Sequence, residues 1–284
     1  MPSTNAGAFH DLCNALPGGA LTENTSSAPL LRHGDVYQFG VARGWSLGRI
    51  IDVLDIRFGG KAGAVWGFDT FTGMPEETPG QPTIAIWSKG HFSPGGPAAN
   101  ASLARQLGGR VQWVIGDYEN SLTASLAQER GMRRARYVDI DCDLYRSAHL
   151  AIHWVFASKL VAPGTVVGYD DFWDLPCSMQ RADQVSWSRH PLQSGEGKAH
   201  VDVSRGYGVS FRCICGPCQA MPMDALRQYS SWRVYFVIES IEGDGRGTPG
   251  FTMPTEQREY FLAHNERCVS NANRWKVYLA ESEP

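Results

Sequence analysis

Between residues 35 and 171 the chain alternates short apolar runs with stretches of helical spacing, and this rhythm constrains the fold more than any other feature. DVYQFG (35–40) reads as a strand. WSLGRIIDVLDIRF (45–58) reads as a helix with Leu47, Ile50, Ile51 and Leu54 on one face. Further strands are expected at AVWGFD (64–69), VQWVIG (111–116), ARYVDID (135–141) and GTVVGYDD (164–171). NASLARQL, NSLTASLAQERG and AHLAIHWVFASKL (148–160) are the intervening helices. Such alternation implies crossover connections, a parallel sheet and helices on both faces, hence an α/β fold. GEGKAHVDVSRGYG (195–208) continues as a helix, and VSFRCIC (209–215) and WRVYFVIES (232–240) as two strands that pair as an antiparallel edge.

Two connections exceed what a compact domain ordinarily needs, Thr70 to Asn100 and Phe172 to Ser194. Both leave the carboxyl ends of strands, where open α/β sheets bind their ligands. The tail adds a helix-like TEQREYFLAHNERCV (255–269) and a last strand-like WKVYLA. The expected division is an N-terminal extension over 1–34, one domain over 35–242 and a C-terminal extension over 243–284.

Lys and Arg number 26 against 29 Asp and Glu, a net charge of −3, so no basic footprint for nucleic acid is expected. The start shows no basic segment leading into a long apolar run, and the most apolar stretch, Leu150 to Val167, is broken by His153, Lys159 and Pro163. The expectation is a cytoplasmic protein without a membrane span, whose seven cysteines are reduced thiols. Cys213, Cys215 and Cys218 resemble half a zinc site, but alternate residues of a buried strand followed by a turn account for them. Most of the nine tryptophans read as core, while Trp87 and Trp173 lie in the long loops, where an exposed ring can pack on a substrate.

Chemistry concentrates at the strand ends. Gly40 and Gly44 put a GxxxG turn before the first helix, suited to close backbone approach by an anionic group, although any tight strand-to-helix turn favours glycine. Asp69 ends the second strand, where a carboxylate can accept from both hydroxyls of a ribose or simply cap a turn. YVDIDCDLY (137–145) and YDDFWD (169–174) end two strands that are neighbours in a parallel sheet, which brings Asp141 near Asp170 and Asp171. Three carboxylates there call for a hard cation such as Mg²⁺, Mn²⁺ or Ca²⁺. Asp139 lies on the same strand face but deeper, where it can hold a neighbouring loop. His91 is the loop histidine with acid/base potential.

The order FGVARGWS, GFDTFTGMP, DIDCDLYRSA and APGTVVGYDDFW resembles the macrocin O-methyltransferase family of S-adenosylmethionine-dependent enzymes from Val36 to about Trp173. The resemblance implies a seven-stranded Rossmann-like methyltransferase sheet, mostly parallel with an antiparallel edge. It implies S-adenosyl-L-methionine held by Gly40, Val41, Ala42, Gly44, Ser46, Asp69, Thr70, Phe71, Asp139 and Asp141, with Gly116, Asp117, Tyr118 and Glu119 along the adenine. By the resemblance Asp141, Asp170 and Asp171 become ligands of Mg²⁺ or another divalent cation; from the residues themselves, Asp141, Asp143 or His91 is the candidate proton acceptor, His91 otherwise being an ordinary loop histidine. Gln38 departs from the acidic residue usual at the end of the first strand, and Leu144 from the lysine of catechol-type relatives. The reaction implied is O-methylation of a sugar-like, polyhydroxylated or phenolic small molecule by a possible homo-oligomer, without nucleic-acid or membrane partners. Two rivals stand beside it: a metal-dependent glycosyltransferase using DIDCD as a DxD motif, and a non-catalytic binding protein on a methyltransferase fold.

Overall fold

A computed structural model describes residues 34–58, 63–81, 87–107, 109–172, 195–216, 218, 233–243, 246–251 and 256–257. The expected helix over 255–269, the WKVYLA strand and the 173–194 part of the second long loop fall essentially outside the described residues.

Seven strands form one sheet: β1 (Asp35–Phe39), β2 (Val65–Asp69), β3 (Val111–Ile115), β4 (Ala135–Ile140), β5 (Val166–Tyr169), β6 (Val209–Cys215) and β7 (Val234–Ile241). Their order is β3-β2-β1-β4-β5-β7-β6. The first five are parallel, and β7 runs antiparallel between β5 and β6. Successive strands step one way from β1 to β3 and the other way from β4 onward. The gap between β1 and β4 is therefore a topological switch point, where such sheets open a crevice.

Helices α1 (Trp45–Phe58), α2 (Pro97–Gln106), α3 (Tyr118–Ser121), α4 (Leu126–Glu129), α5 (Tyr145–Ala157) and α6 (Gly195–Tyr207) cover the sheet. The strand period of two sorts the core onto two faces. Val36 and Val65 pack with Leu47, Ile50 and Ile51 of α1. Tyr37, Phe39 and Phe68 pack with Trp154 of α5, Phe39 stacking on Phe68 at 4.3 Å between ring centroids. All five residues of β1 are buried, as a central parallel strand requires. At the amino edge of the sheet, buried Asp35 accepts from the Ala64 N–H, the Trp66 Nε1–H and the Arg133 N–H, each at 3.0 Å, and so ties the starts of β1, β2 and β4. Residues 246–251 continue from β7 and run along β6, where Phe211 N donates to Thr248 O and Cys213 N to Gly250 O. That pairing covers an edge strand.

Several local expectations change. The NSLTASLAQERG helix is two short helices, because Trp154 Nε1 donates to the Thr123 carbonyl at 2.9 Å and holds it in a break between them. Helix α5 begins at Tyr145 rather than Ala148, since the Glu77 carboxylate accepts from the N–H groups of Tyr145 (2.7 Å) and Arg146 (3.1 Å). Cys213 and Cys218 form a disulfide, which corrects the reading of reduced thiols; the turn after β6 brings their Cα atoms to 5.8 Å, within bonding geometry. Cys142 is a free thiol. Trp45 is 74% exposed and not core, whereas Trp87 is buried with Met74 and Leu144 and offers no open face to a ligand. Trp173, Trp187, Trp232 and Trp275 lie outside the described residues. Among the described residues no helix is long and apolar enough to cross a membrane.

Candidate active site

A cavity of about 250 Å³ opens at the carboxyl edge, over the switch point. The turn after β1 forms one wall, and the acidic loops after β4 and β5 form another. Gly40 sits between them at φ +82°, where a Cβ would run into the Asp141 carbonyl, so no other residue fits that turn.

Asp69 fixes the same turn. Its Oδ2 accepts from the N–H groups of Val41 and Ala42, both at 2.7 Å, and its Oδ1 from Phe71 N at 2.6 Å. The carboxylate thus acts as a turn anchor as well as a cavity-lining group. At Gln38, Nε2 donates to Gly40 O (2.9 Å) and Ser46 Oγ (2.6 Å), and Ser46 donates to Asp141 Oδ2 at 3.1 Å. A neutral amide in place of the acid therefore braces the glycine turn against the acidic loop.

Asp141, Asp170 and Asp171 each offer an oxygen within 4.8 Å of the other two. The protein brings its own cation to them. Because β7 is antiparallel, its first residues lie at the edge where the parallel strands end. Val234 pairs with Tyr169, which sets Arg233 beside Asp170. Arg233 Nε donates to Asp170 Oδ1, and Nη2 lies 3.7 Å from Asp141 Oδ2. Buried Glu196, at the start of α6, joins the two loops: Oε1 accepts from the N–H groups of Cys142 (3.1 Å) and Asp143 (3.2 Å), and Oε2 from Asp171 N at 3.0 Å.

Burial and crowding set the protonation. Burial, then the charge of Asp170, pushes the Asp141 carboxyl up, with Arg233 opposing. Burial and Asp171 push Asp143 up, and burial followed by Asp171 and Asp141 does the same to Glu196. Burial raises Asp170 to about 7 against the pull of Arg233. Burial works against the guanidinium, yet Asp170 and its neighbours hold Arg233 above its usual range.

Of the residues expected from sequence, Gly40, Val41, Ala42, Asp69, Thr70, Asp117, Tyr118, Asp141, Asp143, Asp170 and Asp171 line the cavity. Gly44, Ser46, Phe71, Gly116 and Glu119 stand behind it, and beside buried Phe71 the loop wall is Phe92 rather than His91. Asp139 does not reach the cavity: it is 1% exposed and accepts from the Tyr137 hydroxyl. Of the DIDCD run, Asp141 and Asp143 reach the cavity and Asp139 does not. Sequence reading missed Met74, Pro75, Arg146 and Leu150 as cavity residues, and Glu77, Glu196 and Arg233 as supports. Arg146 is held by a two-point pair with Glu119, Nε to Oε1 at 3.1 Å and Nη2 to Oε2 at 2.6 Å, and donates from Nη1 to Glu76 O. Glu119 thus orients a cavity wall without lining it.

No family model and no curated protein matches the chain. Among solved structures, CalS11, a calicheamicin methyltransferase, matches over 72% of this chain and 72% of its own, with 19% identity and a TM-score of 0.53. The O-methyltransferase NovP matches over 73% of this chain and 72% of its own, with 15% identity and a TM-score of 0.46. The likeness to CalS11, joined to the observed strand order, shows that the chain has the Rossmann-like methyltransferase fold.

Proposed function

We propose that this protein is an S-adenosylmethionine-dependent O-methyltransferase that methylates a hydroxyl of a sugar-like, polyhydroxylated or phenolic small molecule. The observation that carries the reading is one cavity at the switch point that joins the Gly40–Ala42 turn to the carboxylates of Asp141, Asp170 and Asp171. The motif order, from FGVARGWS through YDDFW, supports a place near the macrocin O-methyltransferases. A near-neutral net charge and a cavity of about 250 Å³ favour a small acceptor over nucleic acid.

The three carboxylates fit a hard divalent cation. Their oxygens lie within 4.8 Å of one another, the span bridged by one ion with bonds of roughly 2.1 to 2.5 Å. When bound, such an ion supplies Lewis acidity that lowers the pKa of an acceptor hydroxyl and templates its orientation. The chain's own residues do the rest. Asp69 holds the Val41 and Ala42 N–H groups in place and so shapes the turn that receives the cofactor. Tyr118 and Leu150 line the cavity and would offer an adenine an apolar wall. Asp143 lines the cavity outside the ligand set and, with Asp141, is a candidate to accept the hydroxyl proton.

The test is methyl transfer from S-adenosylmethionine to a panel of sugars and phenols, with a thermal-shift screen of S-adenosylmethionine and nucleotide sugars alongside. Replacing Asp170 and Asp171 by Ala is expected to abolish transfer while cofactor binding persists. Turnover unaffected by a chelator would remove the divalent ion from the reading, and stabilisation by nucleotide sugars alone would remove the methyltransferase reading.

A further inference from the structure

Resting on the divalent-ion reading above, we infer that Arg233 is a resident counter-ion that excludes the metal: its guanidinium occupies Asp170 and Asp141, and must leave before a divalent cation can bind. The geometry is specific. Asp170 and Asp141 are two of the three residues whose oxygens converge, and Arg233 touches Asp170 through Nε while Nη2 stands 3.7 Å from Asp141 Oδ2. An ion bonded to all three carboxylates would stand against the guanidinium, and two cations at that separation repel in a partly buried site. The side chain of Arg233 is only 19% exposed, so the charge is held at the site rather than solvated away from it.

The placement is backbone-determined. The register Tyr169 to Val234, in an antiparallel pair, puts residue 233 opposite residue 170 whatever the side chain. The surroundings also explain why the chain carries such a residue. Asp141, Asp143, Asp170 and Asp171 crowd the two loops, and Arg233 pairs with Asp170 and faces Asp141 there. A guanidinium with several donors satisfies carboxylates in the resting protein. Metal loading would therefore require the guanidinium to leave Asp170, coupling it to a rearrangement at the start of β7.

The test uses the full chain without cofactor or acceptor and titrates Mn²⁺, followed by electron paramagnetic resonance of the free ion. Arg233→Met keeps the apolar stem and removes the charge; its Mn²⁺ affinity is expected to rise about tenfold or more. Arg233→Lys, which keeps the charge, is expected to stay near wild type. A second measurement needs no variant: the Nε–H resonance of Arg233 in wild-type protein should lose its solvent protection when Mg²⁺ is added. Equal or weaker Mn²⁺ binding by Arg233→Met, or a protected Nε–H in saturating Mg²⁺, overturns the exclusion and leaves the divalent-ion reading standing. Absence of binding by wild type and both variants overturns both. Binding by Arg233→Met alone supports the exclusion in its strongest form.

Discussion

Glu196 is the residue whose loss should be felt most. Its carboxylate is fully buried and is the acceptor for three backbone N–H groups, those of Cys142, Asp143 and Asp171. Glu196→Ala removes all three acceptors at once. Each orphaned donor costs on the order of 1 to 3 kcal/mol, and water entering the vacated space recovers part, which leaves about 3 to 5 kcal/mol. Glu196→Gln is a different perturbation. Its carbonyl oxygen can still serve Cys142 and Asp143, while its amide opposes the Asp171 N–H, so one bond is lost, at about 1 to 2 kcal/mol. The assay is urea unfolding at pH 7.5 without divalent ions, with fluorescence and circular dichroism as coincident probes. The expected order is wild type, then Gln, then Ala, the last having lost a large part of a typical margin of about 5 to 15 kcal/mol. An Ala variant within about 1 kcal/mol of wild type, or one more stable than the Gln variant, would refute the idea that this carboxylate clamps the two loops.

The remaining predictions concern other parts of the frame. Burial holds His200 at about 4, below its ordinary 6.5, while its ring bonds Tyr169 and Pro249. The unfolded chain then binds more protons between those values, so stability falls as pH drops through that window, by about 2 kcal/mol from pH 7.5 to 5. His200→Gln should flatten that part of the pH–stability curve. Gly40→Ala sets a Cβ against the Asp141 carbonyl in a left-handed conformation, and a loss of about 2 kcal/mol or more is expected by thermal unfolding, together with loss of cofactor-induced stabilisation. Glu77→Ala leaves the first N–H groups of α5 uncapped, at about 1 kcal/mol, and hydrogen exchange should rise at Tyr145 and Arg146 before it rises in β4.

What was legible from sequence was the part that short-range patterning dictates. The helix over 45–58 and the strand over 209–215 appear with the expected bounds, because their apolar spacing has one partner face to satisfy. Two adjacent parallel strands ending in aspartates were enough to bring Asp141, Asp170 and Asp171 together. What escaped was everything supplied across long separations. The cap of α5 comes from Glu77, so nothing beside Tyr145 announces where that helix starts. Arg233 reaches the acids only through the antiparallel register of β7 with β5, and an arginine at a strand start carries no local mark of that role. Beside the carboxylates expected to hold a metal, the fold also sets a guanidinium.

Asp35 and the cavity loops lie at opposite edges of one sheet. The amino edge, where one buried acid draws β1, β2 and β4 together, sets the alignment of every strand end above it; a change there disturbs all later geometry at once. Met74, Pro75 and Phe92 belong to the opposite rim and bear on what enters rather than on whether the sheet assembles. On the proposed reading, acceptor preference would be open to retuning by loop exchange at that rim, leaving the amino edge untouched.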